Sequence, residues 1–254
     1  MLAEERRDGI VKLLRTSGAV TVNELSRRFD VVPITIRRDL EVLEERGVLS
    51  RIHGGAVSKP EPFLHRPLTA RETLNQAAKV RIAKRAASMV KDGETVILDE
   101  GSTCIELARA LTNHQGITVV TNGIKVAMEL CPYYMITTLL VGGICSNQNY
   151  VAYGADTVEK FRDIRAHKYF MGIDALQVGY GLSDGDPHQA ALKQAKAAAA
   201  AQVIGIADNS KIGKIGVVHV GSFSMLDYLV TNTPIQGSFR AALSREQVEL
   251  LLVD

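Results

Sequence analysis

Residues 31–40, Val31-Val-Pro-Ile-Thr-Ile-Arg-Arg-Asp-Leu40, carry the strongest structural signal in the chain. Pro33 suits the first position of a helix, where its missing N–H costs nothing. Ile36, Leu40 and Leu43 recur at spacings of four and three, so they form one apolar stripe. This stretch is therefore predicted to be a helix with one buried face, and the neighbouring sequence predicts what packs against it.

A second helix and a small hairpin are predicted on either side of this helix. Thr21 and Glu24 have the spacing of a capping box, which favours a helix start at Thr21. The turn at residues 30–32 joins that helix to the one that follows. Residues 48–57 then indicate two short strands around His53-Gly54-Gly55. The order helix, turn, helix and hairpin predicts a winged helix-turn-helix.

The outward side of the Pro33 helix carries residue types that read DNA. Thr35 and Arg38 share an outward stripe, and Arg37 lies about a third of a turn away. Arg forms bidentate contacts with guanine, Thr suits a phosphate or a thymine methyl group, and Asp39 is expected to pair with a neighbouring Arg. Two arginines alone more often only solvate a helix face, but the whole arrangement favours DNA binding. The candidate DNA contacts are Thr21, Pro33, Thr35, Arg37, Arg38, Arg51 and His53.

From about Lys79 the sequence changes to short apolar runs that alternate with helical patterns. Examples are the runs at residues 95–99, 117–121 and 168–173. This alternation is typical of a Rossmann-like α/β domain, whose mainly parallel sheet is covered on both faces. The predicted organisation is a winged helix-turn-helix domain over 1–58, a proline-containing linker over 59–78 and an α/β domain over 79–254.

Polar or glycine-containing loops follow several predicted strands. Residues 99–103, Asp-Glu-Gly-Ser-Thr, lie between a strand and a helix, where backbone N–H groups and two hydroxyls make a phosphate cradle. Residues 121–123, 142–143 and 208–211 end three further strands. A single loop of this kind is more often only a turn with a helix cap. Because ligands of open α/β sheets bind at the carboxyl edge, the recurrence favours a ligand site there.

The composition is that of an ordinary globular protein. Of 254 residues, 46% are hydrophobic and 23% are charged, and the net charge is +2. No apolar run approaches the roughly 20 residues that cross a bilayer, and the N-terminus lacks the apolar core of a secretory signal, so we expect a cytoplasmic protein. Cys104, Cys131 and Cys145 are widely spaced with no His at ligand spacing, which predicts reduced thiols and no metal site. No cofactor is expected, since a full dinucleotide fingerprint is missing.

The N-terminal motifs resemble the signature of the DeoR family of bacterial transcription regulators. The matching elements are Arg6, Arg7, Ile10, Leu14, the Thr-Ile-Arg-Arg-Asp-Leu run at 35–40 and the Gly-Gly wing at 54–55. Val32 departs from the family, which usually has Ser or Thr there, so a helix cap is lost. The rest of the chain resembles the sensor domain of the same family, which is similar to ribose-5-phosphate isomerase.

The resemblance implies a repressor of a sugar or polyol catabolic operon, released from its operator DNA by a phosphorylated sugar or polyol. By matching position, the implied pocket residues are Asp99, Gly101, Ser102, Thr103, Asn122, Gly142, Gly143, Asp174, Asp186, Lys193 and Lys211. Two positions depart from the family pattern. Gln189 replaces a Glu and removes a candidate base, and Asp184 adds a carboxylate where a hydroxyl is expected. Asp184 is therefore also a candidate effector contact, to a hydroxyl-rich or cation-like group.

Two other functions fit parts of the sequence. A sugar-phosphate isomerase-like enzyme with an appended DNA-binding module would use Asp186 and Lys193 for acid–base chemistry, but Gln189 cannot act as a base. An activator or an architectural DNA-binding protein would have the same reading helix and wing as a repressor. For a repressor, we expect a homo-oligomer, dimer or tetramer, in which the effector changes the spacing of paired reading heads. Such a protein is not an enzyme and has no membrane partner.

Overall fold

The computed structural model describes residues 3–17, 19–46, 48–52, 54–58 and 67–254. The chain divides into two compact units, Met1–Glu61 and Pro62–Asp254. The N-terminal unit contains three helices and a three-stranded antiparallel sheet of order β1-β3-β2. Its elements are α1 (Ala3–Ser17), β1 (Ala19–Thr21), α2 (Val22–Phe29), α3 (Pro33–Glu45), β2 (Leu49–Ile52) and β3 (Gly55–Ser58).

Local sequence signals set the ends of α2 and α3. Thr21 caps α2, because its Oγ1 accepts from the Glu24 backbone N–H at 3.2 Å while Glu24 Oε2 accepts from the Thr21 backbone N–H at 3.1 Å. The predicted capping box is therefore confirmed. Asp30 ends α2 in the left-handed conformation with φ 51°. Pro33 begins α3, and Val32 before it makes no side-chain cap, as its side chain has no acceptor.

A buried carboxylate joins α3 to α1. The predicted apolar stripe of α3 packs into one core with residues from the other helices and the sheet. Asp39, on the same side of α3, is 2% exposed and accepts from Arg6 Nε at 2.6 Å and Arg7 Nε at 3.0 Å. Asp39 was expected to pair with a neighbouring Arg. Its partners lie on α1, because Arg37 and Arg38 point to the opposite, exposed side of α3.

The second unit is built on a seven-stranded parallel sheet of order β15-β14-β12-β9-β4-β5-β6. Two small antiparallel sheets, β7-β8 and β10-β11-β13, flank it. The strands are β4 (Thr95–Leu98), β5 (Thr118–Thr121), β6 (Thr137–Leu140), β7 (Ile144–Ser146), β8 (Val151–Tyr153), β9 (Ala166–Gly172), β10 (Ala175–Gln177), β11 (Gly181–Asp184), β12 (Ala200–Ile206), β13 (Val218–Gly221), β14 (Tyr228–Asn232) and β15 (Glu249–Val253).

Helices cover both faces of this parallel sheet. They are α4 (Leu68–Thr73), α5 (Gln76–Ala87), α6 (Ser102–Ala110), α7 (Ile124–Leu130), α8 (Ala155–Arg162), α9 (Pro187–Ala199) and α10 (Gly237–Arg245). Successive strand residues enter different cores: Phe170 packs with α5 and α6, whereas Tyr169 and Met171 pack with α8 and α9. The predicted α/β class with a mainly parallel sheet is therefore confirmed. No helix in the described ranges is both long and apolar enough to cross a membrane.

The structure differs from the sequence prediction in the segment assigned to the linker, residues 59–78. Residues 59–66 lie outside the described part, but α4 (Leu68–Thr73) and the first residues of α5 (Gln76–Ala87) lie within this segment. Leu68 is buried in the core beneath α5 and α6. The sequence did not reveal this because Leu68 is a single apolar residue between polar neighbours, and its burial depends on contacts with distant elements.

Replacing Asp39 tests the role of the buried carboxylate. Asp39→Ala leaves two guanidinium groups without their buried partner, so the free energy of unfolding of the N-terminal unit should fall by about 3 kcal/mol. The measurement is amide hydrogen exchange of α3 across a urea series. Glu41→Ala is the matched control on the same helix, since it removes only the exposed Glu41–Arg51 pair and should cost less than about 1 kcal/mol. Equal losses in the two variants would contradict this role of Asp39.

Candidate functional sites

The reading helix α3 presents its predicted contact residues to solvent. Pro33, Arg37 and Arg38 are exposed, and Thr35 is half-buried. Within the described ranges, Arg37 and Arg38 form no ion pair. Ile34 is also exposed, at the N-terminal end of the helix. The α3 surface thus offers two guanidinium groups and one hydroxyl in a pattern suited to a DNA groove.

The other predicted DNA contacts have partners within the N-terminal unit or lie outside the described residues. The Thr21 hydroxyl caps α2. Arg51, on β2, pairs with Glu41 Oε1 at 2.8 Å, and its backbone N–H donates to Glu44 at 2.8 Å. His53 lies outside the described residues. Arg51 would have to exchange Glu41 for phosphate in order to contact DNA, whereas Arg37 and Arg38 of α3 are exposed.

The second candidate site is an open cleft at the carboxyl edge of the parallel sheet. The loops after β4, β9 and β12 form its floor, and α4 and the N-terminus of α5 form part of its wall. Of the predicted effector residues, six line it: Gly101, Ser102, Thr103, Asp174, Lys193 and Lys211. The other lining residues are Arg71, Leu74, Asn75, Lys79, Glu100, Gly172, Ile173, Asp208 and Ser210.

The N-terminus of α6 opens into this cleft. Gly101 precedes the helix with φ 107°, a conformation that residues with a Cβ rarely adopt. Ser102 and Thr103 form the first turn, where backbone N–H groups have no partner within the helix. These N–H groups and the two hydroxyls are suited to an anion, as the sequence predicted.

A network of buried charges lies behind the lining residues. Asp99 is fully buried and accepts from Lys196 Nζ at 2.5 Å and from the Gly172 backbone N–H at 3.2 Å. Lys193 donates to Asp184, and its Nζ lies 4.0 Å from Asp99 Oδ2. Burial alone would lower the pKa of Lys193, but Asp184 and Asp99 outweigh burial and raise that pKa. Lys193 is therefore a fixed cation at the floor of the cleft.

Arg71 enters the cleft from α4 and was not predicted. Its guanidinium lies 3.5 Å from Asp174 Oδ1, 3.8 Å from Glu100 Oε2 and 3.2 Å from Asn149 Oδ1. The Lys79 ammonium donates to the Arg71 carbonyl oxygen. Burial lowers the pKa of Lys79, although Asp208 opposes this effect. Both cations were assigned to the linker or its border in the sequence, and only the packing of α4 and α5 brings them to the sheet edge.

Glu100 is a carboxyl group that lines the cleft and has a raised pKa. Burial raises its pKa to about 7, against the opposing effect of the Arg71 guanidinium, and Asp99 adds to the rise. The group is thus partly protonated near neutral pH. The sequence contained a signal for Glu100, because this residue directly follows Asp99 in the predicted loop. The sequence does not tell which of these two adjacent carboxyl groups lines the cleft.

Six predicted effector residues do not line the cleft, and each has a structural role. Asp99 and Asp184 hold lysines, as described above. Asn122 donates to the Ala152 carbonyl at 2.7 Å, and Asp186 caps α9 by accepting from the His188 backbone N–H at 2.9 Å. The Gly142 carbonyl accepts from Thr157 Oγ1. A Cβ added to Gly143 would lie only 2.1 Å from Thr157 Oγ1.

The two departures from the family pattern take positions behind the cleft. Gln189 is fully buried on α9 and does not line the cleft. Asp184 accepts from Lys193 and from the Asp186 backbone N–H at 2.9 Å. The hypothesis of a direct contact between Asp184 and the effector therefore needs correction, because both carboxylate oxygens bond to protein groups. Asp184 thus fixes the position of Lys193, which lines the cleft.

Comparison with known proteins matches both units to one family. Residues 6–61 match the DeoR-like helix-turn-helix domain, and residues 74–233 match the DeoR C terminal sensor domain. The chain belongs to the DeoR family. It is therefore a DNA-binding transcriptional regulator, and the family resemblance found in the sequence is confirmed.

Relatives match this member of the DeoR family over nearly its full length. It is 31% identical to the glycerol-3-phosphate regulon repressor of Escherichia coli over 99% of this chain and 100% of that protein. It is 33% identical to the HTH-type transcriptional regulator GolR of Listeria innocua over 92% of both chains. Among solved structures, ribose 5 phosphate isomerase A of Neisseria gonorrhoeae is 21% identical, covers 54% of this chain and 53% of its own, and has a TM-score of 0.39.

The raised pKa of Glu100 predicts a pH-dependent stability. The folded state binds the Glu100 proton more tightly than the unfolded chain does, so stability falls as the pH rises from about 4 towards the folded pKa of about 7. Glu100→Gln removes this dependence and should reduce the loss between about pH 5 and pH 8 by roughly 2 kcal/mol. The measurement is urea unfolding of both proteins at the two pH values.

An exposed glutamate supplies the control for this comparison. Glu159 lies on α8 with its side chain 67% exposed, so Glu159→Gln should lose as much stability as the wild type over the same pH interval. If Glu100→Gln lost as much stability as the wild type over this pH interval, the pKa of Glu100 would not be raised in the folded protein.

Proposed function

We propose that this protein represses a sugar or polyol catabolic operon and that a phosphorylated sugar or polyol releases it from operator DNA. The observation that carries the proposal is the cleft, which combines the N-terminus of α6 with cationic and carboxylate side chains. The exposed arginines of α3 support sequence-specific DNA binding. One relative is named for a glycerol-3-phosphate regulon, and this compound has the proposed chemistry.

The lining residues separate into groups suited to the two ends of such a ligand. Ser102, Thr103 and Lys211 offer N–H, hydroxyl and ammonium donors to a phosphate. Glu100 and Asp174, on the loops after β4 and β9, offer carboxylate oxygens that accept from sugar hydroxyls. This division supports a phosphorylated polyhydroxyl compound over inorganic phosphate, which needs only the first group.

Arg71 supports a route from the ligand to the DNA-binding unit. It lies on α4, the first helix of the second unit, and its guanidinium is held by Glu100 and Asp174. A ligand that bonds to these carboxylates competes with Arg71 for them. Ligand binding therefore changes the strength of the ion pairs that hold α4. Because α4 (Leu68–Thr73) lies within the predicted linker, 59–78, a change in how α4 is held links the two binding equilibria.

An isomerase-like activity is the alternative function. It needs a base beside the substrate carbon, and Gln189 supplies an amide that does not line the cleft. The relatives matched over nearly the whole chain are named as transcriptional regulators. These observations favour regulation over catalysis, and turnover of the releasing compound during the binding assay would favour the enzyme.

DNA binding is tested on α3. Arg38→Ala should weaken binding to DNA from upstream of the protein's own gene by about 1–3 kcal/mol and should relax sequence preference. The measurement is fluorescence anisotropy with this duplex and with a scrambled duplex. Arg162→Ala, an exposed arginine on α8, is the control and should bind like the wild type. Equal affinity of the wild type for both duplexes would contradict sequence-specific recognition.

Effector binding is tested with the same duplex and a panel of phosphorylated sugars and polyols. One compound should release the wild-type protein, and Lys211→Met should raise the concentration needed by roughly 10-fold or more, because a charge-assisted contact is lost. Lys160→Met, which changes an exposed lysine on α8, should respond like the wild type. The cleft assignment would be overturned if both variants responded alike.

A further inference from the structure

One stretch of the second unit has no charged side chain although it is largely exposed. From Leu130 to Ala155 the sequence contains no Asp, Glu, Lys, Arg or His, whereas 23% of the whole chain is charged. Several large apolar residues of this stretch reach solvent: Tyr134 is 94% exposed, Ile144 63% and Leu140 47%. Met128, just before it on α7, is 67% exposed. Depletion of charge combined with exposed aromatic, Met and aliphatic side chains is typical of the centre of a protein interface.

The same stretch contains the edge strand β6. In the described ranges β6 pairs with β5 and with no other strand. The Thr137 and Val141 N–H groups donate towards β5, to Ile117 and Thr121. Because N–H groups alternate in direction along a strand, those of Thr138 and Leu140 point to the open edge. Edge strands are usually protected by charge or proline, and β6, Thr-Thr-Leu-Leu, has neither.

We propose that β6 and the uncharged surface around it form the interface through which two copies of this chain associate. The two β6 strands pair antiparallel about a two-fold axis, which places Thr138 of one copy opposite Leu140 of the other. The outward N–H and C=O groups of both residues then find partners, and the two seven-stranded sheets become one continuous sheet.

The absence of charge favours a second copy as the occupant. A two-fold interface brings each residue near its own symmetry mate, so every charged side chain close to the axis would meet a like charge. Residues 130–155 supply no such side chain, and the nearby charges of α7, Lys125 and Glu129, are paired with Glu72 and Arg109. The surface can therefore meet its own copy without repulsion from a like charge of this stretch. The association also places two α3 helices in one particle, as a palindromic operator requires; this consequence rests on the proposed function, whereas the surface itself does not.

The first experiment is sedimentation velocity of the full chain over a concentration series. The wild type should form dimers, or larger assemblies built from dimers, by either reversible or permanent association. Leu140→Lys places two ammonium groups beside the axis and should weaken association by roughly 30-fold or more. Val217→Lys is the matched control, since Val217 is 74% exposed outside this surface, and it should associate like the wild type.

A second experiment uses the wild type alone and does not depend on the folding of a variant. Hydrogen exchange of the Thr138 and Leu140 amides should slow as the protein concentration rises through the association range. A monomeric wild type, an unchanged association constant for a folded Leu140→Lys, or concentration-independent exchange of both amides would each overturn the proposal. Neither experiment contains DNA or a sugar phosphate, so their failure would leave the proposed function standing.

Discussion

The cleft depends on one buried carboxylate, Asp99. It lies at the end of β4, accepts from the backbone of the central strand β9 and holds Lys196 of α9 at 2.5 Å. These bonds fix three elements at the carboxyl edge of the sheet. A charge buried in this way is stable only while its partners remain in place, so α9 and its other lysine are held at the same time. The position of Lys193 at the floor of the cleft follows from this constraint.

In the DNA-binding unit, a buried carboxylate likewise holds cationic side chains of a neighbouring helix. Asp39 is buried beneath α3 and holds the guanidinium groups of Arg6 and Arg7 on α1. With its carboxylate turned inward, α3 keeps Arg37 and Arg38 on the exposed side, where no ion pair within the described ranges occupies them. The Thr-Ile-Arg-Arg-Asp-Leu motif therefore combines two exposed arginines, which are the predicted DNA contacts, with an aspartate that positions the helix.

The cleft residues show how far a motif predicts a site. Gly101, Ser102 and Thr103 form a continuous loop after a strand, and the structure places all three at the N-terminus of α6 in the cleft. Asn122 and Gly143 also follow strands, yet they serve the packing of β8 and α8. Arg71 was missed because nothing near it in the sequence indicates a sheet edge. Sequence position thus identified the sheet edge at which the cleft lies and could not tell lining residues from supporting ones.

The sequence by itself determined the features that arise from neighbouring residues: the capping box of Thr21 and Glu24 and the start of α3 at Pro33. Such features depend on interactions over three or four residues, which periodicity and capping rules describe. Tertiary structure alone decided which side chains line the cleft and which support it. Asp99 and Lys196 are 97 residues apart, and Arg71 and Asp174 are 103 apart. Pairing at this distance is fixed by how the strands and helices pack, which no local pattern encodes.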